Sequence, residues 1–113
     1  MPTVTDTGEA LCDLIAVDPG ALLVAETSRG LVGSLIAAWN GWRGSFYRLA
    51  VHPAERHRGI ATVLVREGER RLRARGAVRV DVIAVAQEEP AIGFWSAAGY
   101  ERHPEQTRFV RDR

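Results

Sequence analysis

The chain has 113 residues, with 15 basic against 14 acidic side chains, 46% hydrophobic and 7% aromatic residues, and one cysteine. That length suits a single domain over residues 1–113, able to bury about two-thirds of the surface its unfolded form exposes. A net charge of +1 gives no global basis for binding nucleic acid or an acidic membrane, and Cys12, with no second cysteine and no metal-ligand spacing around it, excludes disulfide and metal frameworks and fits a reducing, cytoplasmic setting.

Asp6 or Thr7 is placed to cap a short helix over residues 9–17, with Leu11, Leu14 and Ile15 on one face, and Asp18-Pro19-Gly20 stops it. The apolar run 11–17 is broken by Asp13 and lacks a basic lead-in, so it reads neither as a signal peptide nor as a membrane span. Residues 21–26 and 31–39 are β-rich runs joined by the turn Thr27-Ser28-Arg29-Gly30, which predicts an antiparallel hairpin. Asn40-Gly41 tolerates positive φ at both residues and predicts a second tight turn, flanked by Trp39 and Trp42, into a strand ending near Val51. His52-Pro53 ends that strand.

Across residues 59–75, Ala61, Leu64, Val65, Gly68 and Leu72 recur at helical spacing. Glu67 with Arg71 and Glu69 with Arg73 form i,i+4 pairs, and Gly76 ends the helix. Residues 78–85, nearly continuous in β-branched side chains, predict a strand central in its sheet. Pro90 opens a helix running to about Ala98, and Gly99 closes it. Residues 101–111 predict a last strand with Phe109 and Val110 packed inward. The fold expected is a mixed α/β domain, its sheet antiparallel at first and parallel where the long helix crosses between strands, with helices on its faces.

The segment between the third strand and the long helix carries the chemistry. A helix start leaves unpaired backbone N–H groups and a partial positive charge, and Gly59 lets a ligand approach with no Cβ in the way. A diphosphate fits against the amides of His57, Arg58, Gly59, Ile60, Ala61 and Thr62, with Arg56 or Arg58 supplying a formal charge. The same residues also suit an ordinary helix-start turn. No Gly-Lys-Ser/Thr is present, so this is not a P-loop, and further glycines are missing for a dinucleotide fingerprint. Every basic residue is arginine, which excludes a lysine nucleophile or Schiff base.

Arg56-His57-Arg58-Gly59-Ile60-Ala61 resembles the Arg/Gln-x-x-Gly-x-Gly/Ala motif of the GNAT superfamily of acetyl-CoA-dependent N-acetyltransferases. Leu49-Ala50-Val51-His52-Pro53 resembles that family's fourth strand and its exit. Ala91-Ile92-Gly93-Phe94-Trp95-Ser96-Ala97-Ala98-Gly99-Tyr100 resembles its second signature, and the likeness spans residues 21–110. The resemblance implies an N-acetyltransferase that moves an acetyl group from acetyl-CoA to a primary amine by direct attack in a ternary complex, with no metal. Leu49, Ala50 and Val51 would pair with the pantetheine arm where two parallel strands splay, one ending near Val51 and one near Val85. A backbone N–H on the first of these strands would stabilise the oxyanion.

Three departures accompany the likeness. Trp95 stands where the family's tyrosine often protonates the leaving thiolate, and indole N–H has negligible acidity. Glu88 stands where an asparagine often contacts the cofactor arm. The family's opening strand and helices are abbreviated to residues 1–20, which leaves residues 21–26 as an unprotected edge. A homodimer covering that edge is expected, with Trp39-Asn40-Gly41-Trp42-Arg43 in the interface or at the acceptor entrance. The candidate general bases are Tyr47, on the face and strand that lead to the splay, Glu26 at a strand end, and His52. The alternative reading is a non-catalytic acyl-CoA-binding or sensing module of the same fold. Nucleic-acid binding through the arginines of residues 66–75 ranks last, because Glu67 and Glu69 interleave with them.

Overall fold

The computed structural model describes residues 8–56, 58–82, 89–103, 109 and 111. In chain order the elements are α1 (Gly8–Val17), β1 (Leu22–Thr27), β2 (Gly30–Trp39), β3 (Gly44–Val51), a 3-10 turn (Pro53–Glu55), α2 (Ile60–Ala74), β4 (Val80–Val82) and α3 (Glu89–Ala97). The strands form one sheet in the order β1-β2-β3-β4, antiparallel through β3 and parallel between β3 and β4. No helix among the described residues is long and apolar enough to cross a membrane.

Turn chemistry sets the register. The β1–β2 turn closes on Thr27 opposite Gly30, whose φ of +102° suits glycine. The second hairpin closes on Trp39 opposite Gly44, and its loop is wider than a two-residue turn. Asn40 causes this: its Oδ1 accepts from the backbone N–H of Trp42 at 2.8 Å and of Arg43 at 2.6 Å. Only Gly41 of the Asn-Gly pair takes a positive φ. The asparagine acts as a side-chain cap rather than as a left-handed residue.

α2 packs on one face of β2 and β3, where Leu35, Ala37 and Phe46 meet Leu64, Val65 and Leu72. Three glycines allow close approach along the helix. A Cβ on Gly33 would sit 3.1 Å from both Ile60 and Leu64, one on Gly68 would sit 2.6 Å from the Phe46 ring, and one on Gly44 would sit 2.8 Å from Leu72. α1 ends where the Asp18 N–H donates to the Leu14 carbonyl at 2.8 Å. The buried Asp18 carboxylate receives Arg71 of α2, with Arg75 at 3.4 Å, which pins the α1–β1 joint to the long helix. Asp6 and Thr7, the expected caps of α1, lie outside the described residues.

Two expectations change. β4 is the outer strand of the described sheet, and whether a further strand flanks it turns on residues outside the description. Its Val80 and Val82 are half-buried against the core cluster, with β3 along one edge. Residues 83–85 of that predicted strand lie outside the description. The described residues of the expected last strand, 101–103, 109 and 111, form none, and Phe109 is 91% exposed rather than packed inward. Val110 lies outside the described residues. On α2, Glu67 pairs with Arg70, because Asp18 draws Arg71 away from it, and Glu69 pairs with Arg66, both at i,i+3 spacing.

The contact between Gly68 and Phe46 gives a stability test. Gly68→Val forces its side chain into a fully buried ring, so unfolding in urea is expected to show a loss of at least about 2 kcal/mol. A stability equal to the parent's would show that α2 does not seat at this distance.

Candidate functional site

The site begins with an irregularity in β3. Its pairing with β2 passes from Ser34 opposite Ala50 to Ile36 opposite Tyr47, so β3 carries one extra residue facing Leu35. Arg48 absorbs the bulge at φ +54°, a left-handed conformation that costs a non-glycine residue about 1 kcal/mol or more. Beyond it Ala50 and Val51 stay paired with β2, and the His52 N–H donates to the Val32 carbonyl at 2.7 Å. β4 pairs with β3 from Gly44 to Phe46, and any continuation toward the expected splay near Val85 lies outside the described residues.

The chain then turns toward α2. Pro53 opens the 3-10 turn, and His52 Nδ1 accepts from the Ala54 N–H at 3.1 Å, which ties this face of the ring to the turn. Arg56 bends back, its Nε donating to the Val51 carbonyl at 3.4 Å. Glu55 is buried beneath the loop, with Arg29 at 2.9 Å and Arg58 at 3.4 Å. Gly59 takes φ +79° with no heavy atom within 4 Å of where a Cβ would stand.

α2 starts at Ile60 with no side-chain cap and no acidic residue in its first turn. Its start therefore carries the partial positive charge of a helix N-terminus with no acidic side chain of the first turn against it. Arg56 and Arg58 flank this end and are exposed. Ile60 and Ala61 are half-buried, so the first turn sits low on the sheet, whereas Thr62 is exposed. His57, expected to add an amide, lies outside the described residues.

The candidate bases do not converge. Tyr47 lies beside the bulge, on the sheet face turned away from α2, opposite Ile36. Glu26 pairs with Leu31, five residues farther along β2, or roughly 16 Å at strand spacing. The face that holds Tyr47 also carries a groove of about 480 Å³, lined by Leu22, Val24, Ser34, Ile36, Arg48 and Ala50 among others. The strand periodicity could have revealed it: Leu22 and Val24 in β1 alternate with core residues and leave a second apolar face.

The second signature builds structure. Trp95 stacks on Phe46 with ring centroids 6.1 Å apart and meets Tyr100 edge-on at 5.2 Å. The Tyr100 hydroxyl donates to Glu69 Oε2 at 2.6 Å, while Arg66 donates to both carboxylate oxygens at 2.9 and 3.0 Å and also to the Ala98 carbonyl. Burial works to raise the Glu69 pKa, but the hydroxyl and the guanidinium outweigh it and hold the carboxyl below its usual range. Burial, then the Glu69 carboxylate, pushes the Tyr100 pKa up. Glu88 lies outside the described residues. The Trp-flanked loop 40–43 stands at the start of β3, the end of the sheet opposite Val51 and the Gly59 loop.

Residues 3–100 match the acetyltransferase (GNAT) family. The chain belongs to this family. Acetyltransferase YE1169 of Yersinia enterocolitica and acetyltransferase ECA0875 of Pectobacterium atrosepticum are each 39% identical to it over 84 residues, which are 74% of this chain and 60% of theirs. The chain therefore spans about 60% of the length of these curated relatives. Among solved structures it resembles AAC(6')-Iy in complex with the bisubstrate analog CoA-S-monomethyl-acetylneamine, with a TM-score of 0.75 at 21% identity over 97% of this chain and 83% of that one. It also resembles the aminoglycoside acetyltransferase HMB0005 from an uncultured soil metagenomic sample, with a TM-score of 0.64 at 31% identity over 80% of this chain and 65% of that one. The mixed sheet flanked by helices is thus a GNAT fold.

Within this GNAT domain the Tyr100–Glu69 bond ties the end of α3 to α2, and its removal gives a pH-resolved test. Tyr100→Phe is expected to cost about 1–2 kcal/mol near pH 7. The lowered carboxyl contributes stability above its unfolded pKa and loses it as pH falls through the folded value. The raised hydroxyl contributes below its unfolded pKa and loses that as pH rises past it. The difference between parent and variant in urea unfolding should hold from about pH 5 to 9 and shrink below about pH 4. A difference still full at pH 3 would show that the bond does not carry it.

Proposed function

We propose that this chain transfers an acetyl group from acetyl-CoA to a primary amine by direct attack in a ternary complex. The observation that carries the reading is the mouth of α2: an uncapped helix start without acidic residues, preceded by a left-handed glycine over open space and flanked by Arg56 and Arg58. Such a mouth suits a diphosphate, with the amides of Gly59, Ile60, Ala61 and Thr62, and of His57 by sequence, as donors. Leu49, Ala50 and Val51 are the residues for the pantetheine arm, next to a bulge that interrupts the ladder, and a backbone N–H of this strand is the donor for the thioester carbonyl. The relatives' names and the CoA-derived ligand of a structural neighbour support the same substrate.

Tyr47 is the general base in this reading, because it flanks the bulge whereas Glu26 stands far along the sheet. Trp95 is packed among aromatic rings and supplies no acid, so the thiolate, with a free pKa near 8 to 9, leaves unassisted or to water. That packing is the observation that favours the second reading, an acyl-CoA-binding module without turnover. The lone, exposed Cys12 fits a reducing, cytoplasmic setting. A homodimer fits as well, because β1 is the outer strand of the described sheet with Val24 and Leu31 exposed near it. Light scattering at micromolar concentration should report twice the chain mass, and a monomer defeats that part.

The decisive experiment combines CoA calorimetry with thiol release from acetyl-CoA across a panel of amines. The parent should bind CoA and release thiol with at least one amine. Gly59→Val should weaken CoA at least about tenfold while remaining folded, and Tyr47→Phe should keep CoA affinity and lower kcat about a hundredfold. Unchanged affinity in Gly59→Val sinks the coenzyme site. Tight CoA binding with no acceptor-dependent release turns the assignment to the sensing module.

A further inference from the structure

Glu55 is an unexpected residue in this place. It lies in the loop proposed for a diphosphate, yet it is a carboxylate only 4% exposed. A buried negative charge beside an anion site opposes binding unless it performs another task. Its partners indicate the task. Oε1 accepts from Nη1 of Arg29 at 2.9 Å, and that arginine belongs to the β1–β2 turn, 26 residues earlier in the chain. Oε2 lies 3.4 Å from Nη1 of Arg58, next to Gly59.

Both guanidinium side chains remain largely exposed, at 66% and 61%, so most of their five N–H donors face outward. The trio carries a net charge of +1, with its positive ends at the surface and its negative centre buried. The Glu55 N–H also donates to the His52 carbonyl at 2.8 Å, which fixes the carboxylate to the 3-10 turn. A cavity of about 270 Å³ between hairpin turn and loop is lined by Arg29, Leu31, Val32, His52, Ala54 and Glu55, and the Arg29–Glu55 pair crosses beside it.

We propose that Glu55 is a positioning residue for coenzyme binding: its buried carboxylate draws Arg29 from the β1–β2 turn and holds Arg58, so that the two guanidinium groups bracket the mouth of α2 and keep the Gly59 loop in its binding shape. The proposal rests on the acetyl-CoA reading. It makes Arg29, which lies in neither signature, part of the anion site.

The sign of one substitution tests it. If Glu55 acted only through its charge, Glu55→Gln would remove a repulsion and tighten CoA. If it positions the arginines, Glu55→Gln should weaken CoA about tenfold in calorimetry and raise the KM for acetyl-CoA, with kcat nearly unchanged. Arg29→Gln should show a loss of similar direction, and the double variant should lose less than the product of the two, because Arg29 has no anchor once Glu55 is neutral. Circular dichroism identifies a folded variant. Should Glu55→Gln fail to fold, Arg29→Gln, on an exposed side chain, decides alone, and an unchanged Kd there overturns the proposal. A parent that binds no CoA overturns the coenzyme reading itself. A parent that binds CoA together with a Glu55→Gln variant that binds it equally or more tightly overturns only the positioning role.

Discussion

Everything at the site depends on how closely α2 lies on the sheet. Gly33, Gly68 and Gly44 remove side chains at three successive points along the helix, where Ile60 and Leu64, then Phe46, then Leu72 occupy the space. The helix is thereby laid flat across β2 and β3, and its first turn is brought to the level of the strand that ends at Val51. The partial charge at a helix start falls off within about one turn. Moved a few ångströms off the sheet, the same amides would point past any ligand seated along β3.

Much of this arrangement was legible because it depends on local chemistry. The apolar spacing through α2 and its closing Gly76, the turn ending at Gly30, and Pro90 in the first turn of α3 each act within a few residues, so the elements they predict are present with ends shifted by one or two positions. The features that escaped depend on contacts distant in sequence. Asp18 takes Arg71 across 53 residues and leaves Glu67 to Arg70, which i,i+4 counting could not anticipate. The β-branched run in β4 reports a strand but not its place in the sheet. In the candidate site, Gly59 and the loop around it were visible as a motif. Glu55, Arg48 and the groove were not, because burial, a left-handed backbone and a second apolar sheet face appear only once strands are paired.

The charge distribution follows one pattern. Basic and acidic residues nearly balance over the chain, yet the arginines of α2 and the loop are sorted by partner. Arg66, Arg70 and Arg71 each meet a carboxylate from their own helix or from the α1–β1 joint, which leaves that helix face a poor surface for nucleic acid. At the mouth of α2 two arginines, Arg29 and Arg58, meet one buried glutamate, and the helix dipole adds to them. A chain with a net charge of only +1 can thus present a local positive focus at one end of its sheet.

The three tryptophans occupy distinct surroundings, and this gives the molecule built-in optical reporters. Trp42 is exposed on the Asn40-capped loop with the Arg43 guanidinium 4.1 Å from its ring centroid, Trp39 is half-buried at the adjacent strand end, and Trp95 lies against Phe46 and Tyr100. Iodide in solution reaches the first far more readily than the last. The shielded portion of the intrinsic emission therefore tracks the docking of α3 on the sheet, while the accessible portion follows the hairpin tip at the other end, and both can be followed without attaching a dye.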